Sequence, residues 1–348
     1  MEDIVLKFNH RRCTLLENEV ILDIQPIITE DNSYFAITRS GKILEINTKD
    51  ESCNTVFSID NGELDFDKYV SILISSDRNI VAAFNTFGRN GLVIDLNMNR
   101  IMMRFSRDEY HYEQTIFPVA FVKHNNQVLI IHGTLWNRLD ITNPLTGEVL
   151  TARENPETTE EHYLDYFHGQ LLISPDHEWV VDNGWEWHPL GSVTTWNLKQ
   201  WIINNKWESE DGVSKKDLWW GKEDWNDPIC WISNTQVGLS GKLDISLFDE
   251  EDILNHQKGT VYRIYNVTDG SIVNEFEIYY GKLFFDTYLF CSSQDKGFQI
   301  YDHSNGKVLF EDNTINPVIY HNKSKEFIEV KDNEIMICQL LEGECNFS

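Results

Sequence analysis

One short pattern recurs along the chain and restricts the folds that it can adopt. Each copy is an apolar run that ends in a large apolar residue, followed in nearly every copy by Asn or Asp and then by a polar turn. The copies are Ile46-Asn47, Ile94-Asp95, Leu139-Asp140, Trp196-Asn197, Tyr265-Asn266 and Tyr301-Asp302, and EIMICQL places Gln339 at the same point. The polar members are 36 to 69 residues apart. Short apolar runs bounded by turn residues, with little helical periodicity, predict an all-β protein built from repeated units.

The repeats resemble those of the WD40-type β-propeller family, in which the third strand of each blade ends in Trp-Asp. Tyr301-Asp302 with SNGKVLF, and Tyr265-Asn266 with TDGSIV, match that strand and the tight turn after it. ISSDRNIVAA at 74–83 and ISPDHEWVV at 173–181 resemble the hairpin between the first and second strands. Trp-Asp itself and the family's Gly-His dipeptide are missing. The resemblance therefore implies a propeller without pointing to a particular member, and the family covers many functions.

Counting one blade for each repeat predicts a seven-bladed propeller as a single domain over residues 1–340, with 341–348 as a C-terminal tail. The first strands are expected near 22–28, 70–74, 117–121, 169–173, 228–231, 282–285 and 317–320. The last blade has little chain left for its fourth strand, so we expect the N-terminal segment around Cys13–Val20 to supply it. This closure would leave no unpaired strand at the seam. Counts of six or eight blades are also compatible with the sequence, because the large insertion in one blade could contain another hairpin.

The charge of the chain restricts its partners. It has 56 acidic and 29 basic residues and a formal net charge of −27. Such a field repels phosphate backbones and anionic headgroups, so nucleic acid and membranes are poor partners and a basic partner fits better. The acidity can equally serve only solubility. No signal peptide is recognisable, and no apolar run approaches the roughly 18 residues that span a membrane. We therefore expect a cytoplasmic protein.

Strand direction predicts where the long connections lie. In an antiparallel blade, the turns between the second and third strands and the links to the next blade share one face, called the upper face below. Six long connections belong there: 87–91, 106–116, 152–168, 184–191, 221–227 and 240–258. The insertion at 198–214 is the exception, and its opening LKQWIINN predicts a short amphipathic helix. Long connections are often functional, although chance or plugging of the central channel would explain the pattern equally well.

Tryptophan is concentrated in one stretch of the chain. Ten of the 11 tryptophans lie between Trp179 and Trp231. Within this stretch, the glycines and Pro189 of 182–191 predict a shaped loop rather than a regular hairpin, with the link 223–227 beside it. The candidate ligand- or partner-binding residues are Asp182, Trp185, Glu186, Trp187, His188, Trp225 and Asp227. Aromatic faces with carboxylates can hold a cationic group or a flat ligand. The same side chains can instead pack between blades and satisfy the backbone of turns.

These features favour a non-enzymatic propeller that binds a protein or peptide through an acidic, tryptophan-rich face over blades four and five. The alternative is an enzyme or small-ligand binder in the same loops, with Glu186, His188 and Asp182 as its polar set. A third hypothesis is a structural or neutralising partner of one dedicated protein. The sequence contains no HExxH, EF-hand, P-loop or GxSxG motif. We therefore predict no cofactor, no metal and no catalytic residue, and leave the oligomeric state open.

The cysteines give a first testable prediction. They are irregularly spaced and form no CxxC pair; their positions are Cys13, Cys53, Cys230, Cys291, Cys338 and Cys345. Without an export signal we expect six reduced thiols and no disulfide. Titration of freshly prepared, unfolded and unreduced protein should give six thiols per chain. A lower number would contradict the prediction.

Overall fold

The described residues form seven small antiparallel sheets arranged as a seven-bladed β-propeller. The structure is a computed structural model and describes residues 6–14, 19–187, 190–242, 260–331 and 334–341. In six blades the strands follow one another from the inner strand to the outer strand; the seventh also takes a strand from the N-terminus. The predicted all-β class and the count of seven blades are therefore confirmed.

The strands have the following bounds. The N-terminal strand is β1 (Lys7–Thr14). Blade one contains β2 (Ile21–Pro26), β3 (Ser33–Thr38), β4 (Lys42–Asn47) and β5 (Ser52–Ser58). Blade two contains β6 (Val70–Ile74), β7 (Ile80–Asn85), β8 (Asn90–Asp95) and β9 (Arg100–Ser106). Blade three has three strands, β10 (Val119–His124), β11 (Gln127–Leu135) and β12 (Arg138–Thr142). Blade four contains β13 (Phe167–Ile173), β14 (Trp179–Glu186), β15 (Leu190–Asn197) and β16 (Lys216–Lys222).

Blades five to seven complete the ring. Blade five contains β17 (Ile229–Trp231), β18 (Gln236–Gly241), β19 (Thr260–Asn266) and β20 (Ile272–Ile278). Blade six contains β21 (Lys282–Phe285), β22 (Leu289–Ser293), β23 (Gly297–Tyr301) and β24 (Val308–Asp312). Blade seven contains β25 (Ile319–His321), β26 (Glu326–Lys331) and β27 (Glu334–Leu341). The helical segments are a 3-10 turn (Tyr112–Gln114), a π-helical turn (Gln200–Asn204) and α1 (Glu208–Asp211). Across the described ranges, no helix is long and apolar enough to cross a membrane.

The ring is closed by its N-terminal strand. β1 pairs antiparallel with β27, from Lys7 opposite Leu341 to Thr14 opposite Glu334, and so becomes the outer strand of blade seven. The closure predicted from the sequence is present, but the strand lies at Lys7–Thr14 rather than around Cys13–Val20. Residues 15–18 and the tail 342–348 lie outside the described residues.

A buried carboxylate fastens this seam to blade one. Glu326, at the start of β26, is fully buried. It accepts hydrogen bonds from Arg11 of β1 at 2.5 Å and from the Tyr34 hydroxyl of β3 at 3.0 Å. The side chains of Asn32 and Thr48, also in blade one, donate to it at 2.8 and 2.9 Å. One side chain therefore joins the closing strand, blade seven and blade one.

The repeated Asn or Asp has a local physical role. Asn47 accepts the backbone N–H groups of Lys49 and Asp50 at 3.0 Å through its side-chain oxygen, and Asp302 accepts that of Ser304 at 2.9 Å. Such a side chain holds the tight turn between the third and fourth strands. In five blades, the residue four positions after the Asn or Asp that holds the turn has a positive φ. These residues are Glu51, Asn99, Gly147, Gly270 and Gly306. In blade three the side chain that holds the turn is Asn143; the repeat position assigned to Leu139-Asp140 is therefore three residues too early, because Asp140 lies within β12.

Blade three lacks a regular fourth strand, and side chains from two segments cover its open edge. The Ile141 N–H donates to the Thr151 hydroxyl at 2.9 Å, and Arg153 donates to the Leu139 carbonyl at 3.0 Å. Arg153 is fully buried between Asp140 and Glu210, and Glu210 belongs to the insertion of blade four. The predicted helix of this insertion is present as a π-helical turn. The insertion therefore protects a sheet edge that would otherwise be open to pairing.

Removal of the closing strand tests this account. A chain that lacks residues 1–14 loses β1 and leaves Glu326 without Arg11. We expect a loss of at least about 3–5 kcal/mol in the free energy of unfolding, the usual cost of stranding one member of a buried ion pair. Removal of residues 1–5 alone keeps the strand and serves as the control. If both truncated chains unfold at the denaturant concentration of the full chain, the closure does not stabilise the fold.

Candidate functional site

Stacked aromatic rings form a cluster on the upper face. Phe167 and Trp185 stack with centroids 3.9 Å apart and planes inclined by 8°. Trp225 also stacks on Trp185, at 5.2 Å and 27°. Trp136 lies 4.4 Å from Phe167. Aromatic pairs at these separations add to the stability gained from burying the rings.

Strand direction brings these rings together from three blades. Trp136 lies in the turn between β11 and β12, Phe167 begins β13, and Trp185 is near the end of β14. Trp225 lies in the link from β16 to β17, and its indole N–H donates to the Gln114 carbonyl at 2.6 Å. All four positions are in turns or links of the upper face or directly beside them. The backbone geometry, rather than closeness in sequence, therefore builds the cluster.

Two further rings lie at the surface of this stack. Trp187 is 42% exposed and packs edge-on against Phe167 and Trp185, with centroids 5.3 and 5.6 Å away. Tyr110, in the link from blade two to blade three, is 45% exposed and lies nearly parallel to Phe167 at 5.9 Å. The buried rings thus hold two amphipathic rings in place, each with part of its surface in contact with solvent.

A groove of about 630 Å³ runs beside the exposed rings. Tyr110, Trp136 and Trp187 line it, together with residues of the link from blade three to blade four. That link contributes the exposed carboxylates Glu157 and Asp165. No Lys or Arg among the described residues lines the groove. Its chemistry is therefore that of aromatic faces beside negative charge.

The segment 182–191 is not the shaped loop that its glycines and Pro189 predict. β14 and β15 pair regularly up to Glu186 opposite Leu190, so the segment is mostly a hairpin. Gly184 is required by close packing, because a Cβ there would lie 2.1 Å from the Phe167 carbonyl oxygen. A Cβ at Gly191 would lie 2.5 Å from the Asp224 carbonyl oxygen. These glycines mark the close approach of neighbouring links rather than a turn.

Asp182 is buried beneath the rings and does not face the groove. It lies in β14 with no exposed surface. One carboxylate oxygen is 2.5 Å from Nδ1 of His168, and the other accepts the Gly169 N–H at 3.0 Å. His168 and Gly169 are in β13, the first strand of the same blade. The carboxylate of Asp182 therefore fixes the entry of the chain into blade four.

Asp227 is also buried, and it faces a buried lysine. Its carboxylate lies 3.5 Å from Nζ of Lys222, and both side chains are almost fully inaccessible. Burial raises the pKa of Asp227 to about 6, and the nearby Lys222 opposes this rise. Burial also lowers the pKa of Lys222. Asn183 accepts from Lys222 at 3.2 Å and donates to the Asp227 carbonyl at 2.9 Å, so the group ties blade four to the link that carries Trp225.

The remaining predicted residues are Glu186 and His188. Glu186 is partly exposed and accepts the indole N–H of Trp220 at 3.1 Å. His188 lies outside the described residues. Within the described ranges, no group of three or more His, Cys, Asp or Glu is placed to hold a metal. The structure thus brings Trp185, Trp187 and Trp225 together and separates Asp182 and Asp227 from them by burial.

Sequence reasoning missed Tyr110, Trp136 and Phe167. Trp136 is the single tryptophan outside the rich stretch, Tyr110 lies in the link from blade two to blade three, and Phe167 begins β13, before that stretch. The sequence did hold a clue to Tyr110 and Phe167, because strand direction alone assigns the predicted links 106–116 and 152–168, which contain them, to the upper face. Comparison with known proteins adds nothing to this geometry, since no family model and no curated protein matches the chain.

The unequal burial of the tryptophans predicts unequal effects on stability. Trp185 is only 3% exposed, so Trp185→Ala should lower the free energy of unfolding by roughly 3–5 kcal/mol. Trp187→Ala should cost much less, because a large part of that ring is already in water. Trp225→Ala should fall between them, since it loses a stacking contact and a hydrogen bond. Urea denaturation of the three variants measures this order. Equal losses for Trp185 and Trp187 would assign Trp187 to the core.

Proposed function

We propose that this WD40-like propeller binds a basic segment of another protein or peptide on its upper face, without catalysing a reaction. The observation that carries the proposal is the groove in which Tyr110, Trp136 and Trp187 lie beside Glu157 and Asp165. A cation over an aromatic face gains about 0.5–1 kcal/mol when exposed and about 2 kcal/mol or more when water is excluded. The two carboxylates add attraction for the same ligand.

The composition of the groove also fits a protein partner. Tryptophan and tyrosine are enriched among the residues that dominate binding energy at interfaces. Phe167 and Trp185 are buried and Trp225 is partly buried, and this stack holds the exposed rings, so little side-chain entropy remains to be lost on binding. The net charge of −27 favours approach of a basic partner and disfavours nucleic acid and anionic membranes. The proposed contact surface is therefore centred between blades three and four, and Trp225, in the link from blade four to blade five, supports it.

The burial of Asp182 and Asp227 counts against a catalytic role for these two carboxylates, whereas Glu186 is partly exposed. A general acid or base must come within hydrogen-bond reach of the reacting group. Asp182 is engaged with His168, and Asp227 is close to Lys222, both beneath the surface. A structural or neutralising partner of one dedicated protein would use the same surface. We prefer a general peptide-binding role because Tyr110, Trp187 and the two carboxylates line one groove.

Binding of a labelled hexalysine peptide, followed by fluorescence anisotropy, tests the proposal. We expect Trp187→Ala to weaken binding roughly tenfold, the equivalent of about 1.4 kcal/mol. The double variant Glu157→Gln, Asp165→Asn should weaken binding and reduce its dependence on salt. Asp50→Asn with Glu178→Gln is the matched control, since both residues are exposed and lie in turns of the opposite face.

The pattern of losses decides the outcome. Weaker binding by the groove variants, with the control unchanged, supports a localised site. Equal weakening by the groove and control pairs would mean that hexalysine responds only to net charge. Wild-type affinity in the Trp187 and groove-carboxylate variants would refute the proposed site.

A further inference from the structure

Asparagine is followed by glycine at four points of the chain, namely Asn61, Asn90, Asn183 and Asn305. In such a dipeptide the backbone nitrogen of the glycine lies close to the asparagine carboxamide, and glycine has no Cβ to obstruct their approach. The nitrogen can attack the carboxamide carbon if the backbone is free to rotate and if other groups hold neither partner. The surroundings of each dipeptide therefore decide whether it reacts.

Two of the four asparagines lie in strands. Asn90 begins β8, and the glycine after it is paired with β7 on one side and with β9 on the other. Asn183 lies in β14 and is only 1% exposed. The Gly184 N–H donates to the Tyr166 hydroxyl at 2.9 Å. Sheet pairing and burial therefore fix the backbone of both dipeptides.

Asn305 is exposed, but the turn between β23 and β24 holds both of its reacting groups. The Gly306 N–H donates to the Asp302 carbonyl at 2.8 Å. The side-chain amide of Asn305 donates to the Asp302 carboxylate at 2.8 Å, and its oxygen accepts the Lys307 N–H at 2.8 Å. Attack by the glycine nitrogen would require these hydrogen bonds to break first.

Asn61 differs from the other three. It lies with Gly62 in a turn of the link from β5 to β6, and both residues are exposed. Within the described ranges, neither the Asn61 side chain nor the Gly62 N–H has a hydrogen-bond partner. A Cβ added to Gly62 would meet no atom within 4 Å. Segments with so few contacts open most easily, so both reacting groups are free to meet.

We infer that Asn61 is a site of spontaneous deamidation in the folded protein. The Gly62 nitrogen forms a bond to Cγ of Asn61, the Cγ–Nδ2 bond breaks, and ammonia leaves with the proton of the Gly62 nitrogen. Water then opens the resulting cyclic imide at either of its two carbonyl groups. The product at position 61 is an aspartate, or an isoaspartate in which the main chain continues through the side-chain carbon. Each event adds one negative charge.

The modification should leave the propeller folded, because other residues hold the two ends of this link. The Ile59 N–H donates to the Gly41 carbonyl at 2.8 Å. The side chain of Asn85 donates to the Asp65 carbonyl at 2.8 Å and accepts the Asp65 N–H at 3.2 Å. Neither end depends on Asn61, so the reaction does not require a blade to open.

Peptide mapping by mass spectrometry tests the inference after the full chain is incubated in mildly alkaline buffer below its unfolding temperature. Asn61 should convert with first-order kinetics. The other three asparagines should convert at least about tenfold more slowly, because each must first break hydrogen bonds. In guanidinium chloride all four should convert at similar rates. Isoelectric focusing should show an acidic form that Asn61→Gln abolishes and that the matched exposed control, Asn305→Gln, retains.

Selective conversion of Asn61 in the folded chain, together with loss of this selectivity on unfolding, supports the inference. An Asn61 peptide that stays intact overturns it, as does equally fast conversion of Asn90, Asn183 or Asn305 in the folded chain. The same preference for Asn61 in guanidinium chloride also overturns it, because the fold would then not select the site. The inference does not depend on the proposed function, since neither Asn61 nor Gly62 lines the aromatic groove.

Discussion

The propeller depends on one closure. Seven sheets arranged in a ring leave two ends, and pairing of β1 with β27 joins them without an exposed sheet edge. The buried Glu326 makes this joint specific, because its carboxylate needs donors from the closing strand and from blade one at the same time. A buried carboxylate without these partners would cost several kcal/mol. Ring closure and satisfaction of one charge are therefore coupled.

Much of the fold could be predicted because its turns require particular side chains. An Asn or Asp after the third strand accepts backbone N–H groups, and a residue that tolerates positive φ comes four positions later. These requirements recur in most blades and produce a recognisable sequence pattern. Blade three departs from this pattern, since Thr151 and Arg153 replace strand pairing with side-chain contacts. The sequence pattern does not reveal this difference, and the repeat position in blade three was placed at Asp140 instead of Asn143.

The site was harder to predict because the sequence of a single segment does not reveal which residues of other blades it contacts. Trp185 and Trp225 could be chosen from the rich stretch, but the ring that stacks most closely on Trp185 is Phe167, from a different strand. Gly184 and Gly191 predicted a shaped loop, whereas they permit close approach of the backbone of β13 and of the link 223–227. Composition located Trp185, Trp187 and Trp225 but not the rings that pack against them from other blades and links. It could not show which of them reach solvent.

Burial divides the polar residues of this region into two groups with different roles. Asp182 and Asp227 are next to tryptophans in sequence, yet they meet His168 and Lys222 beneath the surface and hold the links in position. Glu157 and Asp165 have no tryptophan beside them in sequence, but the fold places them at the aromatic groove. A carboxylate can attract a partner only if its charge remains in reach of solvent. The carboxylates that remain available to the proposed basic partner are therefore those that the chain supplies from the link between blades three and four.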